Sequence, residues 1–257
     1  MSKKYLRTSD AAAAVGVHPN TVRMYEKYGL LPEIPRTPSG YRKFTPAHVD
    51  QMRLARMAFE GAWPGRAIRR SVVALVKQAA SGDLGGALEK AYQHLAIVQS
   101  ERARAETAVK LLERWAQGAA ADATANRLQI GEVAELLGVT RDVLRNWERN
   151  GLIRIPRNPR NGYRLYGAAE ISRLRVIRML SQAGYSTMAI LRMLLQLDRG
   201  ETDDLRKALD TPRPDEDVYS AADQWLTTLA GWEARTHEMI ALLELMISKS
   251  SISPPRL

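Results

Sequence analysis

The 257-residue chain contains no cysteine, only two phenylalanines and only four histidines. Without cysteine there is no disulfide, no thiolate metal site and no cysteine nucleophile. The histidines (His18, His48, His94 and His237) are too scattered to suggest a metal site, and no cofactor is expected. No apolar run approaches the ~18 residues of a membrane span, and the N-terminal stretch lacks the apolar core of a signal peptide. A cytoplasmic protein with no membrane partner is therefore expected. A phosphate loop, a Ser/His/Asp order and paired carboxylates in an apolar setting are missing too, so the chain does not read as an enzyme.

Positive charge, in contrast, is plentiful and unevenly placed. The formal net charge is +10. Residues 1–80 carry 14 Lys and Arg against 5 Asp and Glu, and residues 127–197 carry 12 against 5. Residues 81–126 are nearly balanced (5 against 6), and 198–257 are acidic (7 against 12). Two basic blocks separated by neutral chain point to a polyanion met twice.

The same two blocks repeat one another. Gly16-Val17, Arg23, Glu26, Gly29-Leu30 and Gly40-Tyr41-Arg42 recur as Gly138-Val139, Arg145, Glu148, Gly151-Leu152 and Gly162-Tyr163-Arg164. The offset is 122 at the first and last pairs, so the two copies are expected to align without a gap. In the first copy the Ala-rich run 11–14 favours a helix that Thr8 or Ser9 can cap, and Gly16 ends it in a tight turn. His18 then stands at an N-cap with Pro19 at the first helical position. The second helix puts Val22, with Tyr25 or Glu26, on one face and Asn20, Arg23 and Lys27 on another. Around 36–44, Pro38, Ser39 and Gly40 mark a hairpin turn leading into a short strand, a basic wing bearing Arg36 and Arg42. Thr45-Pro46 caps a third helix. The second copy retraces this path: a helix 130–137, a helix capped by Thr140, a wing at 157–164, a helix with Ile171, Leu174, Ile177 and Leu180 inward, and another capped by Ser186. Helix, turn and basic second helix together form a helix-turn-helix.

These residues resemble the MerR-type winged helix-turn-helix. Val-Arg-Met-Tyr-Glu (22–26), Gly-Leu-Leu (29–31) and Ser-Gly-Tyr-Arg (39–42) carry the resemblance in the first copy. In the second, Leu-Arg-Asn-Trp-Glu (144–148), Gly-Leu-Ile (151–153) and Asn-Gly-Tyr-Arg-Leu-Tyr (161–166) carry it. It implies a bacterial transcription regulator that reads the major groove of double-stranded DNA with the second helix and touches flanking DNA with the wing. The expected contacts are Asn20, Thr21, Arg23, Tyr25, Lys27, Arg36, Tyr41, Arg42 and Lys43 in the first copy. Those of the second copy are Thr140, Arg141, Asp142, Arg145, Trp147, Arg149, Arg157, Arg160, Tyr163 and Arg164. Arg23 and Arg145 rank first. Tyr41 and Tyr163 suit either phosphate contact or packing at the wing base, and Arg42 and Arg164 suit either DNA or an internal pair with Glu26 and Glu148. Asp142 suits either a cytosine amino group or the positive end of its helix dipole. The family's usual aromatic pair on the second helix departs at its first member, Met24 and Asn146, and stays aromatic at its second, Tyr25 and Trp147.

Two apolar seams follow the repeats. Leu88, Ala91, Leu95, Val98, Ala105, Val109 and Leu112 form one, interrupted by Arg102; Trp225, Leu229, Trp232, Met239, Leu243 and Met246 form the other, interrupted by Thr236. The expected fold is mainly α: two winged helix-turn-helix domains with small β-hairpin wings, and two long helices forming an antiparallel coiled coil. The domains run 1–80 and 127–197. Coiled-coil helices occupy 81–117 and 219–249, joined by a linker (118–126), a connecting segment (198–218) in which Asp215-Glu216-Asp217 complement the last helix's dipole, and a frayed tail (250–257). One chain would then be an intramolecular pseudo-dimer; a homodimer with four winged domains is the competing assembly. Trp115, Trp225 and Trp232 are candidates for an apolar ligand pocket, although seam spacing already accounts for the last two. The leading function is a nucleoid-associated, sequence-specific regulator that bends or untwists promoter DNA and acts with RNA polymerase holoenzyme, its effector unknown. The alternative is an architectural or recombination-accessory DNA-bending protein with no action on the polymerase.

Overall fold

The computed structural model describes residues 5–61, 63–118, 127–212 and 221–252. Among them the helices are α1 (Thr8–Val15), α2 (Pro19–Lys27), α3 (Pro46–Phe59), α4 (Gly65–Ala80), α5 (Leu84–Ala116), α6 (Ile130–Leu137), α7 (Arg141–Arg149), α8 (Ala168–Gln182), α9 (Thr187–Leu197), α10 (Leu205–Asp210) and α11 (Trp225–Ile252), the last preceded by a 3-10 turn (Ala221–Gln224). The chain forms two compact units, one from 1–99 and 230–257 and one from 100–229. Each unit therefore holds one copy of the repeat and takes part of α5 and part of α11.

In the first unit, α1, α2 and α3 pack around Phe44, Met52 and Leu54, all fully buried, and α4 adds Ile68, Val72 and Leu75. Burial of such side chains contributes about 1.5–3 kcal/mol each before entropy is counted. Buried Gln51 donates its amide to the carbonyls of Leu30 (2.9 Å) and Val76 (3.0 Å), tying α3 to the chain after α2 and to α4. The first half of α5 runs antiparallel to the later part of α11: Tyr92 Oη donates to Glu244 at 3.4 Å and Gln99 Nε2 to Glu233 at 3.0 Å. Ala91, Leu95 and Val98 are buried in this unit, as are Trp232, Met239, Leu243 and Met246. Thr236 satisfies its buried hydroxyl by donating to the Trp232 carbonyl at 2.6 Å.

The second unit repeats the arrangement with different residues. Leu144, Leu152, Tyr166, Ile171, Leu174 and Ile177 fill its core. At the position matching Gln51, Arg173 donates Nε to the Leu152 carbonyl (2.8 Å) and a guanidinium pair to Asp198 (2.5 and 2.9 Å). Buried Arg192 on α9 donates to the carbonyls of Ala208 (2.6 Å), Leu209 (3.3 Å) and Asp223 (3.1 Å), fastening α10 and the 3-10 turn. Trp115 Nε1 donates to Ser172 Oγ at 2.6 Å, which docks the end of α5 on α8.

Several expectations change. Neither Thr8 nor Ser9 caps α1: both lie inside it, and Asp10 caps the start by accepting from the Arg7 backbone N–H at 3.1 Å. The hairpins contain no strand among the described residues, only single antiparallel bridges, Arg36 with Arg42 and Arg157 with Arg164. Those bridges also show that the two copies do not align gap-free. Thr37 N–H bonds Tyr41 O in the first hairpin and Asn158 N–H bonds Tyr163 O in the second. The second copy thus has one residue fewer before the hairpin and one more at its tip, and the two shifts cancel. The Asp215–Asp217 cluster, nearly all of the linker and the end of the tail fall outside the described residues. Asp210 instead caps α11, accepting from the N–H groups of Leu226 (2.8 Å) and Thr227 (3.1 Å).

Candidate nucleic-acid interface

Helix α2 is aimed by local chemistry. Gly16 sits at φ 66°, a left-handed geometry that glycine adopts without a Cβ clash, and reverses the chain. His18 Nδ1 accepts from the Asn20 N–H at 3.2 Å, and Pro19 opens the helix. Val22 and Tyr25 then turn inward, leaving Asn20, Arg23, Met24, Lys27 and Tyr28 exposed and Thr21 half-buried. Arg23 Nη1 donates to Asn20 Oδ1 at 2.9 Å.

The hairpin stands beside this surface because Glu26 holds it there. Its carboxylate accepts from Arg42 Nε (2.8 Å) and Nη2 (2.7 Å), and from Arg36 Nη2 at 3.5 Å. Arg42 is therefore a tether rather than a free cation; Arg36, half-exposed, shares the pair and lies near the tip. Tyr41 is 71% exposed, so it does not pack the hairpin base. Lys43 Nζ lies 5.4 Å from the centre of the Tyr5 ring.

The second copy reproduces the device. Thr140 Oγ1 caps α7 by accepting from Val143 N–H at 3.2 Å, so its hydroxyl is committed to the helix start. Arg141 lies against Gly131 of α6, where a Cβ would come within 2.9 Å of its guanidinium. Asp142 makes no cap bond; it pairs with Arg145 Nη1 at 2.9 Å. Asn146 and Arg149 are exposed. Glu148 accepts from Arg164 Nε at 2.6 Å, with Arg157 Nη2 at 3.9 Å. Arg160 and Tyr163 are exposed at the tip, and the Arg160 N–H bonds Asn158 Oδ1 at 2.9 Å.

Two expected contacts are corrected. Tyr25 and Trp147 are only 7% and 8% exposed and serve as core residues. Tyr25 packs 6.3 Å from Phe59, and burial raises its phenol above the ordinary value. That explains why the second member of the aromatic pair stays aromatic in both copies, whereas the first, Met24 or Asn146, faces outward and is free to differ. Met24, Tyr28, Asn146 and Arg154 belong to the exposed surface as well; Tyr28 and Arg154 lie outside the identical positions that draw the eye in the sequence. Trp115, Trp225 and Trp232 each have partners of their own. Trp115 bonds Ser172, Trp225 Nε1 donates to the Ala183 carbonyl at 2.8 Å, and Trp232 lies between His94, edge-on at 5.9 Å, and the Arg235 guanidinium at 4.8 Å. Among the described residues, no His/Asp/Glu cluster has the makings of a metal site, and no helix is long and apolar enough to cross a membrane.

Two exposed basic helices, each preceded by a glycine turn and braced by an arginine-bearing hairpin, define a class: helix-turn-helix proteins with a cationic surface in duplicate. Comparison with known proteins supplies the family. Residues 7–44 match the model of the MerR family regulatory proteins, and residues 128–197 match that of the MerR HTH family regulatory proteins. The chain thus carries two MerR-type helix-turn-helix domains in tandem. It is 35% identical over 75 residues to a mercuric resistance operon regulatory protein of Bacillus cereus, covering 29% of this chain and 57% of that protein. It is 36% identical over 84 residues to nodulation protein NolA of Bradyrhizobium diazoefficiens (33% of this chain, 35% of that one). To the HTH-type transcriptional regulator CueR of Escherichia coli it is 32% identical over 59 residues (23% and 44%). The similarity therefore spans about a third to a little over half of these relatives. No solved structure matches the chain significantly.

Proposed function

We propose that the chain is a sequence-specific, DNA-binding transcription regulator that uses its two non-identical winged domains on one promoter. The observation that carries this reading is the duplicated brace: in both copies a glutamate on the second helix (Glu26, Glu148) binds the hairpin arginine (Arg42, Arg164) and sets hairpin and helix into one basic surface. Phosphate contacts from such a surface supply affinity and register, and side chains on the exposed helix face read base edges. The names of the relatives, an operon regulator and a transcriptional regulator among them, support the same reading.

In this reading α5 and α11 form the antiparallel coiled coil of an intramolecular pseudo-dimer. The support is that each unit draws on both helices, with Lys249 near the end of α11 pairing with Asp50 on α3 (2.8 Å) and Trp115 near the end of α5 meeting Ser172, the matching position on α8. The protein works in the cytoplasm at the nucleoid, bends or untwists its promoter and addresses RNA polymerase holoenzyme; an effector is not assigned.

A binding titration on DNA upstream of the gene, at two salt concentrations, tests the reading. Arg23→Ala and Arg145→Ala are each expected to weaken binding to one discrete site by roughly 1–3 kcal/mol and to alter base preference. Uniform weak binding indifferent to both arginines would leave a nonspecific architectural protein. Specific binding without any change in transcription by purified polymerase would favour the DNA-bending alternative.

A further inference from the structure

Asn20 and Asp142 occupy the same place in the two repeats, second in their helices and offset by 122 residues. Neither caps its helix, since His18 and Thr140 do so. Instead both accept a hydrogen bond from the arginine three residues on: Asn20 Oδ1 from Arg23 Nη1 at 2.9 Å, and Asp142 Oδ1 from Arg145 Nη1 at 2.9 Å. Both residues are exposed, the Asp142 side chain 87% so.

The consequence lies in what each side chain has left to offer. A guanidinium only donates, so the oxygen of Asn20 must face Arg23, and what remains is the amide –NH2, a donor. Asp142 gives one oxygen to Arg145 and keeps Oδ2, which as a carboxylate oxygen only accepts. The same backbone position, beside the same arginine, thus presents opposite hydrogen-bonding polarity in the two copies.

We propose that Asn20 and Asp142 make the two halves of the target unlike at one matched base position. The first domain takes a base with a keto oxygen there (guanine or thymine), and the second takes one with an exocyclic amine (cytosine or adenine). This rests on the reading of both helices as major-groove elements. A donor suits guanine O6 or thymine O4; a carboxylate suits the cytosine N4 or adenine N6 amine and repels a keto oxygen. The operator is then not a palindrome at this step, and Arg23 and Arg145, with matching tethers, are held to read the same neighbouring base.

Selection of bound sequences from a random duplex pool tests the idea, using the full chain, Asp142→Asn, Asn20→Asp and the double exchange. Asp142→Asn is expected to change one position of one half-site from an amino base to a keto base by roughly five- to tenfold in preference, leaving the rest of the motif intact. Asn20→Asp should do the reverse in the other half-site, and the double exchange should trade the two preferences. The proposal is overturned if Asp142→Asn tightens binding to every sequence alike, as loss of a negative charge near phosphate would, with no position changed. If the unaltered chain selects no motif at all, the sequence-reading function itself fails and this inference with it. If it selects a motif that the exchanges leave untouched, the function stands and only the inference falls.

Discussion

The two copies keep the same joints and build them from different chemistry. Just after the second helix of each copy, the carbonyl of Leu30 or Leu152 is met by a neutral amide from Gln51 in one unit and by a guanidinium from Arg173 in the other. Gln51 then reaches Val76 of α4, whereas Arg173 pairs with Asp198, the residue matching Val76. The carboxylate that accepts the third helix's first-turn hydrogen bond is absent in one copy: His48 Nδ1 accepts from Thr45 N–H at 2.9 Å, where Glu170 accepts from Gly167 N–H at 2.8 Å. What both copies retain unchanged is the glutamate–arginine brace between second helix and hairpin. Geometry at the joints is thus satisfied by any group of the right polarity, while the brace needs a carboxylate facing a fork of N–H donors. The outward side chains, free of either demand, are where the copies have diverged.

The largest test of that division is to cut the paired aromatics at their two adjacent positions. Tyr25→Ala and Trp147→Ala each empty a core site and are expected to cost about 3–5 kcal/mol. Met24→Ala and Asn146→Ala should stay within about 0.5 kcal/mol of the parent, since both side chains are exposed, while altering DNA binding. Denaturant unfolding of the four variants measures this. Equal losses at inner and outer positions would erase the distinction between them.

A second test separates the units by pH. All four histidines fall in the first unit, and none in residues 100–229. His94 is fully buried beside Ser71, its Nδ1 2.7 Å from the hydroxyl, with the edge of Trp232 on another side; burial pushes its imidazole down to about 4. An imidazole held below its unfolded value of about 6.5 contributes stability above that pH and loses it as pH falls. Across the window from about 6.5 to 4 the loss amounts to about 3 kcal/mol. His48, also lowered by burial, adds to it in the same direction. In the second unit, the hydrogen bond from Arg173 holds the Asp198 carboxyl below its ordinary range, so its contribution fades only at more acidic pH. Hydrogen exchange corrected for intrinsic rates should therefore show the first unit losing protection between pH 6.5 and 4 while the second holds, and His94→Leu should narrow the gap. Simultaneous loss in both units would break the comparison.

Much of this was legible in the sequence because it depends on local, position-specific chemistry. Gly16 and Gly138, His18-Pro19, Thr140, Thr45 and Ser186 each announce a turn or cap through their own backbone preference. The Glu26–Arg42 and Glu148–Arg164 pairs were among the alternatives, since a carboxylate kept twice on a basic helix asks for a partner. Which way Tyr25 and Trp147 point was not legible: a residue between two helix faces turns in or out according to the room its neighbours leave, Phe59 in the case of Tyr25, and that is a tertiary matter. Helix α10, with six residues, is too short to show a period, and it is held by Arg192 from a neighbouring helix. The compensated one-residue shift was hidden because identical glycines and arginines flank it on both sides, so a gap-free match and a shifted one look the same at the ends.

That shift yields the smallest and most specific effect. The first hairpin closes a four-residue turn, Gly40 N–H to Thr37 O at 2.9 Å, and the second a five-residue one, Gly162 N–H to Asn158 O at 2.8 Å. The additional tip position brings an exposed cation, Arg160, to the hairpin end, whereas the shorter tip holds Pro38 and Ser39. Deleting Arg160 should convert the longer turn into the shorter one without unfolding the unit, because Asn158, Gly162 and the Arg164–Glu148 brace remain in place. If Arg160 meets a phosphate, the slope of log affinity against log salt should become shallower by about 0.9, the share of one phosphate on duplex DNA, with base preference unaltered. Inserting an arginine between Pro38 and Ser39 should steepen the slope by a similar amount. An unchanged slope in both variants would mean that the tips stand clear of the backbone, and that the second domain's extra residue does no more than restore the register lost before the hairpin.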